Sequence, residues 1–320
     1  MLLGFLFHLF VPDILLYDNF KEVMGWVTLV WLLFMSQFIE SKILTATGLC
    51  FFVVNSGLAF VERMQGTRFI VYDGEILEGF VSAGDLLSTE FRSFALLGHP
   101  LTNACITSLF MGFVLVSDRL KTKAKSLLIT VGMLGLYGFN SRGAILVWFV
   151  ILLYRLVFYQ KNFLKTSALL IVVAFGLPFL IDYVNTGALG RFSFDFSDES
   201  SATRWMSFVF FGMQNWNFDT ILFGGRYIEM PGTDLLLENG VLLNLSYWGW
   251  LVGAVKTIME VYITYLVLRG RPKREIFIIM LSFWGVALTN NIIAGVLPLT
   301  FFLFAYTAIG KARTSTHKTN

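Results

Sequence analysis

Residues 136–153 read LYGFNSRGAILVWFVILL, and a single charge, Arg142, stands inside this otherwise apolar stretch. Residues 126–140 before the arginine are almost wholly apolar, and so are residues 143–154 after it. A helix needs roughly 20 apolar residues to cross a hydrocarbon core of about 30 Å. The stretch therefore predicts two membrane-spanning helices joined by a tight turn that carries Arg142.

The same apolar character extends along the chain of 320 residues, of which 56% are hydrophobic and only 14% are charged. A soluble domain is about a quarter charged, and the mean hydropathy here is +0.71. This composition predicts an all-α polytopic membrane protein. About ten spans are expected, at residues 2–16, 23–39, 43–61, 101–117, 126–140, 143–159, 164–184, 241–268, 275–290 and 292–309.

Residues 1–16 have neither a basic start nor a small-residue cleavage site, so a short first span is expected rather than a signal peptide. His8, Pro12 and Asp13 weaken this span, and an upstream start could precede it. Cys50 and Cys105 both lie in apolar runs. They offer neither a disulfide framework nor the spacing of metal ligands.

Positive charges divide the chain into two sides. Lysine and arginine are concentrated at residues 118–125, 155–165, 269–274 and 311–318, which the positive-inside rule makes cytoplasmic. Alternation then places both termini in the cytoplasm. Two long loops, residues 62–100 and 185–240, face outward, and loops of this length are expected to carry function.

The outward side has a distinctive set of cations. Apart from Lys21 they are all arginine: Arg63, Arg68, Arg92, Arg142, Arg191, Arg204 and Arg226. The planar guanidinium holds phosphate or carboxylate through two parallel N–H bonds and keeps its proton. The set predicts an anion site, although pairing with an external carboxylate is the alternative for any single loop arginine.

Arg142 is expected at the outer membrane surface. A charge within the bilayer usually marks a site, but at the interface a long side chain can reach water, which is the alternative here. Gly143 would let a ligand come close. Ser141 could cap the next helix and direct its free N–H groups at the same anion.

Several stretches resemble motifs of the bacterial O-antigen polymerase and ligase superfamily, over about residues 85–255. The turn at residues 140–144 (NSRGA) resembles its Ser-Arg-Gly turn, and Arg92 with residues 97–104 (LGHPLTNA) resembles a segment that opens a span in its exopolysaccharide polymerases. Residues 201–205 (SATRW) and 221–225 (ILFGG) are similar to parts of the large external loop. Glu238 and Asn239, with Gly249 and Gly253, resemble the motif that closes that loop.

This chain departs from the ligase branch, which has a histidine at the position of Glu238; the last small residue of the motif is also displaced, to Gly253. These departures favour a polysaccharide polymerase over a lipid A ligase. The resemblance implies a GT-C-like helical glycosyltransferase in the bacterial inner (plasma) membrane, active at its periplasmic or exterior face. It implies inverting transfer from undecaprenyl-pyrophosphate-linked oligosaccharide without metal or other cofactor. Membrane lipid, a chain-length regulator and other export proteins are the further partners that it suggests, and nucleic acid is not among them.

A pyrophosphate leaving group needs its negative charge stabilised, and preorganised arginines can do this without a metal. Arg142 and Arg204 are therefore predicted to bind the pyrophosphate, with Arg226 and Arg92 as secondary ligands. No metal site is expected, since the three histidines, His8, His99 and His317, are scattered.

The acceptor hydroxyl needs a general base within hydrogen-bond reach. Glu238 is the predicted base because it lies where the family's catalytic histidine would be. His99 is a rival, with local capping before Pro100 as its alternative role. Asp234 is a weaker rival, four residues from Glu238.

Two further patterns concern packing. Residues 201–212 (SATRWMSFVFFG) would place Trp205, Phe208, Val209 and Gly212 on one face of a helix. This helix could be half-buried against the bundle or lie at the membrane interface and present Arg204 to a lipid head group, and the two roles are compatible. Lys256 and Glu260 stand four apart inside a predicted span, so they could pair within the bundle.

Other classes of function fit parts of this pattern. A transporter or flippase of lipid-linked sugars also needs cations for pyrophosphate, but such proteins usually show repeats and charges near the midplane. A scaffolding subunit of a polysaccharide export system would explain the spans and leave the outer arginines unexplained. An O-antigen ligase acting on a lipid or protein acceptor is the alternative within the family.

Overall fold

The computed structural model describes residues 27, 30, 31, 34, 38–70, 91–158, 206, 208–213, 217–223, 240–289 and 296–310. These residues form helices and turns with no strand among them, which confirms an all-α fold for this part of the chain. The helices are α1 (Ser41–Gln65), α2 (Pro100–Val116), α3 (Thr122–Gly138), α4 (Arg142–Phe158), α5 (Phe218–Phe223), α6 (Gly240–Trp248), α7 (Trp250–Leu268), α8 (Lys273–Met280), α9 (Val286–Thr289) and α10 (Val296–Ala305).

Helices α1 to α4 lie close to the spans predicted at 43–61, 101–117, 126–140 and 143–159. Their ends follow local backbone chemistry. Gly66 closes α1 in the left-handed conformation, with φ 63°, as glycine after a helix commonly does. Pro100 opens α2 at a position where its missing N–H is not needed.

The span predicted at 241–268 is wrong as a single helix, because the chain reverses at Gly249. This glycine has φ 84° and separates α6 from α7. A side-chain carbon at Gly253 would lie 2.4 Å from the carbonyl oxygen of Asn244, so the two helices fold back on each other at backbone contact. The nine-residue α6 is about 13 Å long and too short to cross a bilayer.

Helix α2 is the centre of the bundle. Fifteen of its 17 residues are buried, and it contacts α1, α3, α4, α8, α9 and α10. Aromatic rings surround it: Phe113 packs edge-on to Phe302 with 5.6 Å between ring centroids, and Phe110 stacks on Phe52 at 6.0 Å.

A π-helical turn at Leu281–Gly285 lies between α8 and α9 and is held by α2. Such a turn leaves carbonyl groups without their usual partners in the helix. The Ser108 hydroxyl donates to the carbonyl of Ser282 at 2.6 Å, and Ser108 in turn accepts a bond of 2.6 Å from Trp148 Nε1. A second π turn, Tyr306–Gly310, ends the described chain.

Helix directions alternate through the bundle. Successive glycines of α3 meet successive residues of α1 (Gly135 at Ser56, Gly138 at Ala59), so these two helices run parallel. The segment before α2 is bonded to the end of α3 through Ser93 and Gly138, so α2 runs antiparallel to both. This alternation agrees with the directions that the charge pattern predicts for these spans.

By length and composition, two described helices qualify as membrane spans: α1 with 25 residues and α7 with 19. One or two such helices are weak support for a membrane location when taken alone. Helix α7 adds an inverted pattern, since Lys256 and Glu260 are buried while Leu251, Val255 and Ile258 are exposed. Polar residues inward and apolar residues outward are typical of a helix in lipid. The count of ten spans remains a prediction.

Cations gather at the end of the bundle where α2 finishes. The carbonyl of Leu115 accepts from Lys125 Nζ at 3.4 Å and from Arg155 at 3.1 Å. Cations near a helix C-terminus are favoured by the helix dipole. Arg119 donates to Thr45 at 3.3 Å, which ties the start of α1 to the same end. Residues 118–125 and Arg155, which are predicted to be cytoplasmic, therefore lie at the same end of the described bundle.

In helical residues 208–213, the face with Phe208 and Val209 points outward and the opposite face packs on the bundle. Phe208 and Val209 are 51% and 40% exposed, whereas Phe211 stacks on Trp250 with 6.0 Å between ring centroids. Phe208 and Val209 therefore do not pack on the bundle, because α7 contacts the opposite side through Trp250; their exposure agrees with the interfacial position that the sequence also allowed.

Candidate functional site

Three segments meet at the end of the bundle opposite the lysine-rich one: the last turn of α1, residues 91–99 and the α3–α4 turn. Ser93 N donates to the carbonyl of Gly138 at 3.1 Å. Arg63 donates to the carbonyl of Phe91 and lies 5.5 Å from the centroid of the Tyr137 ring. These contacts join stretches of sequence that are about 30 to 75 residues apart. We call this end of the bundle the arginine end.

The α3–α4 turn is tight and buried. Asn140 adopts the left-handed conformation with φ 52°, which asparagine tolerates better than most residues, and both Asn140 and Ser141 are buried. The Ser141 hydroxyl accepts a bond of 3.4 Å from Ala144 N. The predicted serine cap of α4 is therefore confirmed.

Arg142 is the first residue of α4. The helix therefore begins one residue before the predicted span at 143–159, and Arg142 belongs to the helix rather than to the turn. It is half-buried. The N-terminus of a helix carries a partial positive charge and unpaired N–H groups. An arginine there adds to the positive potential, and the combination favours an anion.

Glu62 stands in the last turn of α1 and is fully buried. Its Oε1 accepts from Phe69 N at 3.0 Å. Its Oε2 accepts from the Ser93 hydroxyl at 2.5 Å and from Phe94 N and Ala95 N, both at 3.2 Å. The sequence reasoning missed this residue. A lone carboxylate at the end of an apolar run was the only signal for it.

Arg68 follows α1 and lies over the ring of Phe94, with 3.7 Å from its guanidinium carbon to the ring centroid. Burial lowers the pKa of Arg68, and the negative charge of Glu62 opposes that shift. An arginine pKa starts so high that the side chain remains charged. Arg68 therefore brings a fixed positive charge to the arginine end.

His99 caps α2. Its Nδ1 accepts from Thr102 N at 3.3 Å, so the local capping role that the sequence allowed is observed. Partial burial of the ring, and then the positive charge of Arg92, lower the pKa of His99 below its ordinary value. The ring is neutral at neutral pH, and since Nδ1 is the acceptor, its proton is on Nε2. In this state His99 offers an N–H donor outward.

Of the predicted site residues, the structure brings Arg92, His99 and Arg142 to the arginine end. Arg92 and His99 interact electrostatically, and Arg92 is next to Ser93, which is bonded to the α3–α4 turn. Arg204, Arg226, Asp234 and Glu238 lie outside the described residues. Within the described ranges, no three His, Cys, Asp or Glu side chains are grouped as metal ligands.

No protein-family model, curated protein or solved structure matches the chain. Its resemblance to the O-antigen polymerase and ligase superfamily therefore rests on its own residues, and the function that follows is a proposal. Two of those residues now have a geometric role. Gly249 provides the positive φ of the α6–α7 reversal, and Gly253 provides the backbone contact beside it.

A second polar cluster lies inside the α6–α7 hairpin. Lys256 Nζ is 3.8 Å from Glu260 Oε1, with both side chains almost fully buried, so the predicted pair forms. Lys256 also donates to Asn244 Oδ1 at 3.2 Å, and its Nζ lies 5.6 Å from the centroid of the Trp248 ring. Buried charges need such partners, because desolvation costs several kcal/mol per ion.

Proposed function

We propose that this chain is an inner-membrane polysaccharide polymerase. It transfers a glycan from a polyprenyl pyrophosphate carrier to a sugar hydroxyl of another glycan at the outer face. The observation that carries the proposal is the bond from Ser93 N to Gly138 O, because it brings the Arg92–His99 segment to the turn that precedes Arg142. Both stretches resemble motifs of one family.

The proposed reaction is inverting and needs no metal. The acceptor oxygen attacks the anomeric carbon on the face opposite the pyrophosphate, the C–O bond to the pyrophosphate breaks, and the acceptor proton passes to a base. Arg142 and Arg204 bind the departing pyrophosphate, with Arg92 and Arg226 beside them. Fixed cations in a partly dry site stabilise developing charge with little reorganisation.

Glu238 is the proposed base. His99 is less suited to that role in the observed geometry, because its one lone-pair nitrogen is used by Thr102 N. Its Nε2–H can instead donate to a pyrophosphate or sugar oxygen. This division leaves the carboxylate as the proton acceptor and the histidine as a neutral donor.

The decisive experiment uses purified protein in detergent with a lipid-linked oligosaccharide and EDTA, and resolves products on a gel. A polymerase yields a ladder of lengthening glycans with release of polyprenyl pyrophosphate. We expect Arg142→Ala and Glu238→Gln to lower chain growth by at least about 100-fold, as loss of a transition-state contact does. Both proteins should still insert in the membrane.

Arg271→Ala is the matched control. Arg271 pairs with Glu275 at 2.9 Å in a partly buried position, and Glu275 lies near Lys125 rather than at the arginine end. Near-normal polymer from Arg142→Ala or Glu238→Gln would remove that residue from the mechanism.

Transport of lipid-linked oligosaccharide is the second candidate, and the Lys256–Glu260 pair favours it. Buried charges inside membrane helices often mark pathways for ions or substrates. Unchanged donor in the gel assay, with the same lipid crossing vesicle membranes in a flip assay, would support transport over polymerisation. Transfer of the glycan in one step to a lipid or protein would instead indicate a ligase.

A further inference from the structure

The carboxylate of Glu62 is the most heavily hydrogen-bonded acidic group that the structure describes at the arginine end. It is 0% exposed and accepts four hydrogen bonds. Taking a carboxylate out of water is costly unless its oxygens are hydrogen-bonded. Bonds to a charged acceptor are roughly twice as strong as neutral ones. The bonds to Glu62 therefore hold its partners firmly.

Three of those bonds come from consecutive residues, 93–95. Ala95 has φ 39°, a left-handed conformation that is strained for a residue other than glycine. Successive N–H groups that converge in such a turn make a small anion-binding concavity. Here the concavity is filled by the chain's own carboxylate, which stabilises a backbone shape that residues 93–95 would not hold alone.

This shape sets the placement of two residues of the proposed site. Arg92 directly precedes residues 93–95, and His99 follows them by four residues. Asn103 adds a second clamp, since its Nδ2 donates to the carbonyls of Phe94 at 2.7 Å and of His99 at 3.0 Å. Leu96 N donates to Asn55 Oδ1 at 3.2 Å. The segment is thus bonded to α1, to α2 and to the α3–α4 turn.

Buried as it is, Glu62 does not reach a substrate. We propose that Glu62 is a positioning residue of the arginine end: its charge holds residues 93–95 so that Arg92 and His99 stand beside the turn that leads into Arg142. The proposal rests on the proposed function and adds a residue that acts through others. Its negative charge also acts favourably on the positive charge of Arg68.

The test compares Glu62→Gln, which keeps the shape and removes the charge, with the unaltered protein. The amide of glutamine keeps one acceptor oxygen and replaces the other with a donor, so at least one N–H group loses its acceptor and the remaining bonds lose the charge. We expect kcat/KM for the pyrophosphate-linked donor to fall about tenfold, mainly through a raised KM. Glu275→Gln, at the Arg271 pair, is the matched control and should keep full activity.

A double-mutant cycle separates positioning from a general loss of folding. If Glu62 acts through Arg92, then Glu62→Gln should cost less than about twofold in an Arg92→Ala background, because coupled residues are not additive. If Glu62→Gln only weakened folding, its fold-loss of activity would be the same in the Arg92→Ala background as in the unaltered protein. The two fold-losses would then multiply, and that result would overturn the proposal.

Hydrogen exchange gives a readout that does not depend on catalysis. The amides of Phe94 and Ala95 should exchange at least about tenfold faster in Glu62→Gln, because local opening becomes easier. Ser93→Ala removes only the 2.5 Å bond and should give a smaller change in the same direction. If Glu62→Gln fails to fold, Ser93→Ala takes its place in the exchange measurement.

The outcomes distinguish the two proposals. An active protein whose Glu62→Gln variant keeps wild-type kcat/KM and exchange would overturn the positioning role and leave the polymerase intact. A wild-type protein that transfers no glycan would overturn the proposed function, and the positioning role would fall with it.

Discussion

His99 occupies a position usually filled by Asp, Asn, Ser or Thr, the residues that accept an N–H bond at the start of a helix. Its backbone is extended, with φ −141° and ψ 121°, as a cap requires. The ring can accept only while Nδ1 is unprotonated. The structural role of this residue and its protonation state are therefore linked.

His99→Ala should lower the free energy of unfolding by about 1 kcal/mol, the usual contribution of a cap. His99→Asn should retain most of it, since asparagine caps well. Thermal unfolding in detergent at pH 8 would compare the two variants. Equal destabilisation by both would show that the cap contributes nothing and that ring packing matters instead.

Burial of the ring and the positive charge of Arg92, which lower the pKa of His99, also predict a pH dependence of stability. The pKa of His99 is lowered in the folded protein, so its contribution is fully present above the ordinary pKa of about 6.5. It is lost as the pH falls through the lowered folded-state pKa. His99→Asn should remove that part of the acid sensitivity. An unchanged stability profile in His99→Asn would contradict this assignment.

At the scale of elements, the contact between α1 and α3 depends on glycine. Gly135 and Gly138 lie on one face of α3, and their lack of side chains lets the backbones approach closely at Ser56 and Ala59. Small residues at an interface are the usual means by which membrane helices pack. This contact fixes α1, and with it Glu62, against the end of α3.

Gly138→Ala should destabilise the protein by about 2 kcal/mol, the typical cost of overpacking. The new carbon would lie 2.4 Å from the carbonyl oxygen of Ala59, a backbone atom that cannot rotate away. Gly57→Ala is the matched control because nothing lies within 4 Å of the new carbon. It should be neutral or stabilising by up to about 1 kcal/mol.

Thermal unfolding of both variants in the same detergent tests the contact. Similar melting temperatures for Gly138→Ala and Gly57→Ala would show that α1 and α3 can separate without loss. The contact would then not be what holds Glu62 in place.

At the scale of the whole molecule, the two ends of the bundle differ in their positively charged side chains: the described cations are all arginine at one end and include lysine at the other. The arginine end carries Arg63, Arg68, Arg92 and Arg142, whereas Lys125, Arg155 and Arg119 lie at the other end. Neighbouring helices alternate in direction between these ends. The arrangement agrees with a chain that crosses a membrane repeatedly, and the positive-inside rule predicts that the end with Lys125 faces the cytoplasm.

Cysteine labelling tests this orientation. In a background without Cys50 and Cys105, a membrane-impermeant maleimide should label Thr67→Cys in intact cells. It should label Lys123→Cys only after permeabilisation, since both positions are exposed but lie at opposite ends. Labelling of both in intact cells would contradict the predicted topology.

The local features could be predicted from the sequence. Helix positions followed from apolar runs, and the Ser141 cap and the Lys256–Glu260 pair followed from spacing along one helix. Hydropathy, however, cannot separate a residue that faces lipid from one that faces another helix, because both surroundings are apolar. For this reason the sequence could not decide whether Phe208 and Val209 pack on the bundle or face outward.

By itself, the sequence determined that the chain is apolar and helical in character, and that lysine and arginine are unevenly distributed along it. Only the tertiary structure decided that the chain reverses at Gly249, that Glu62 is buried, and that the Arg92–His99 segment meets the turn before Arg142. These features depend on donors and acceptors far apart in the chain, as in the bond from Ser93 to Glu62. Which partner a buried polar group bonds to depends on how the helices pack, because such groups are almost always hydrogen-bonded in the folded protein.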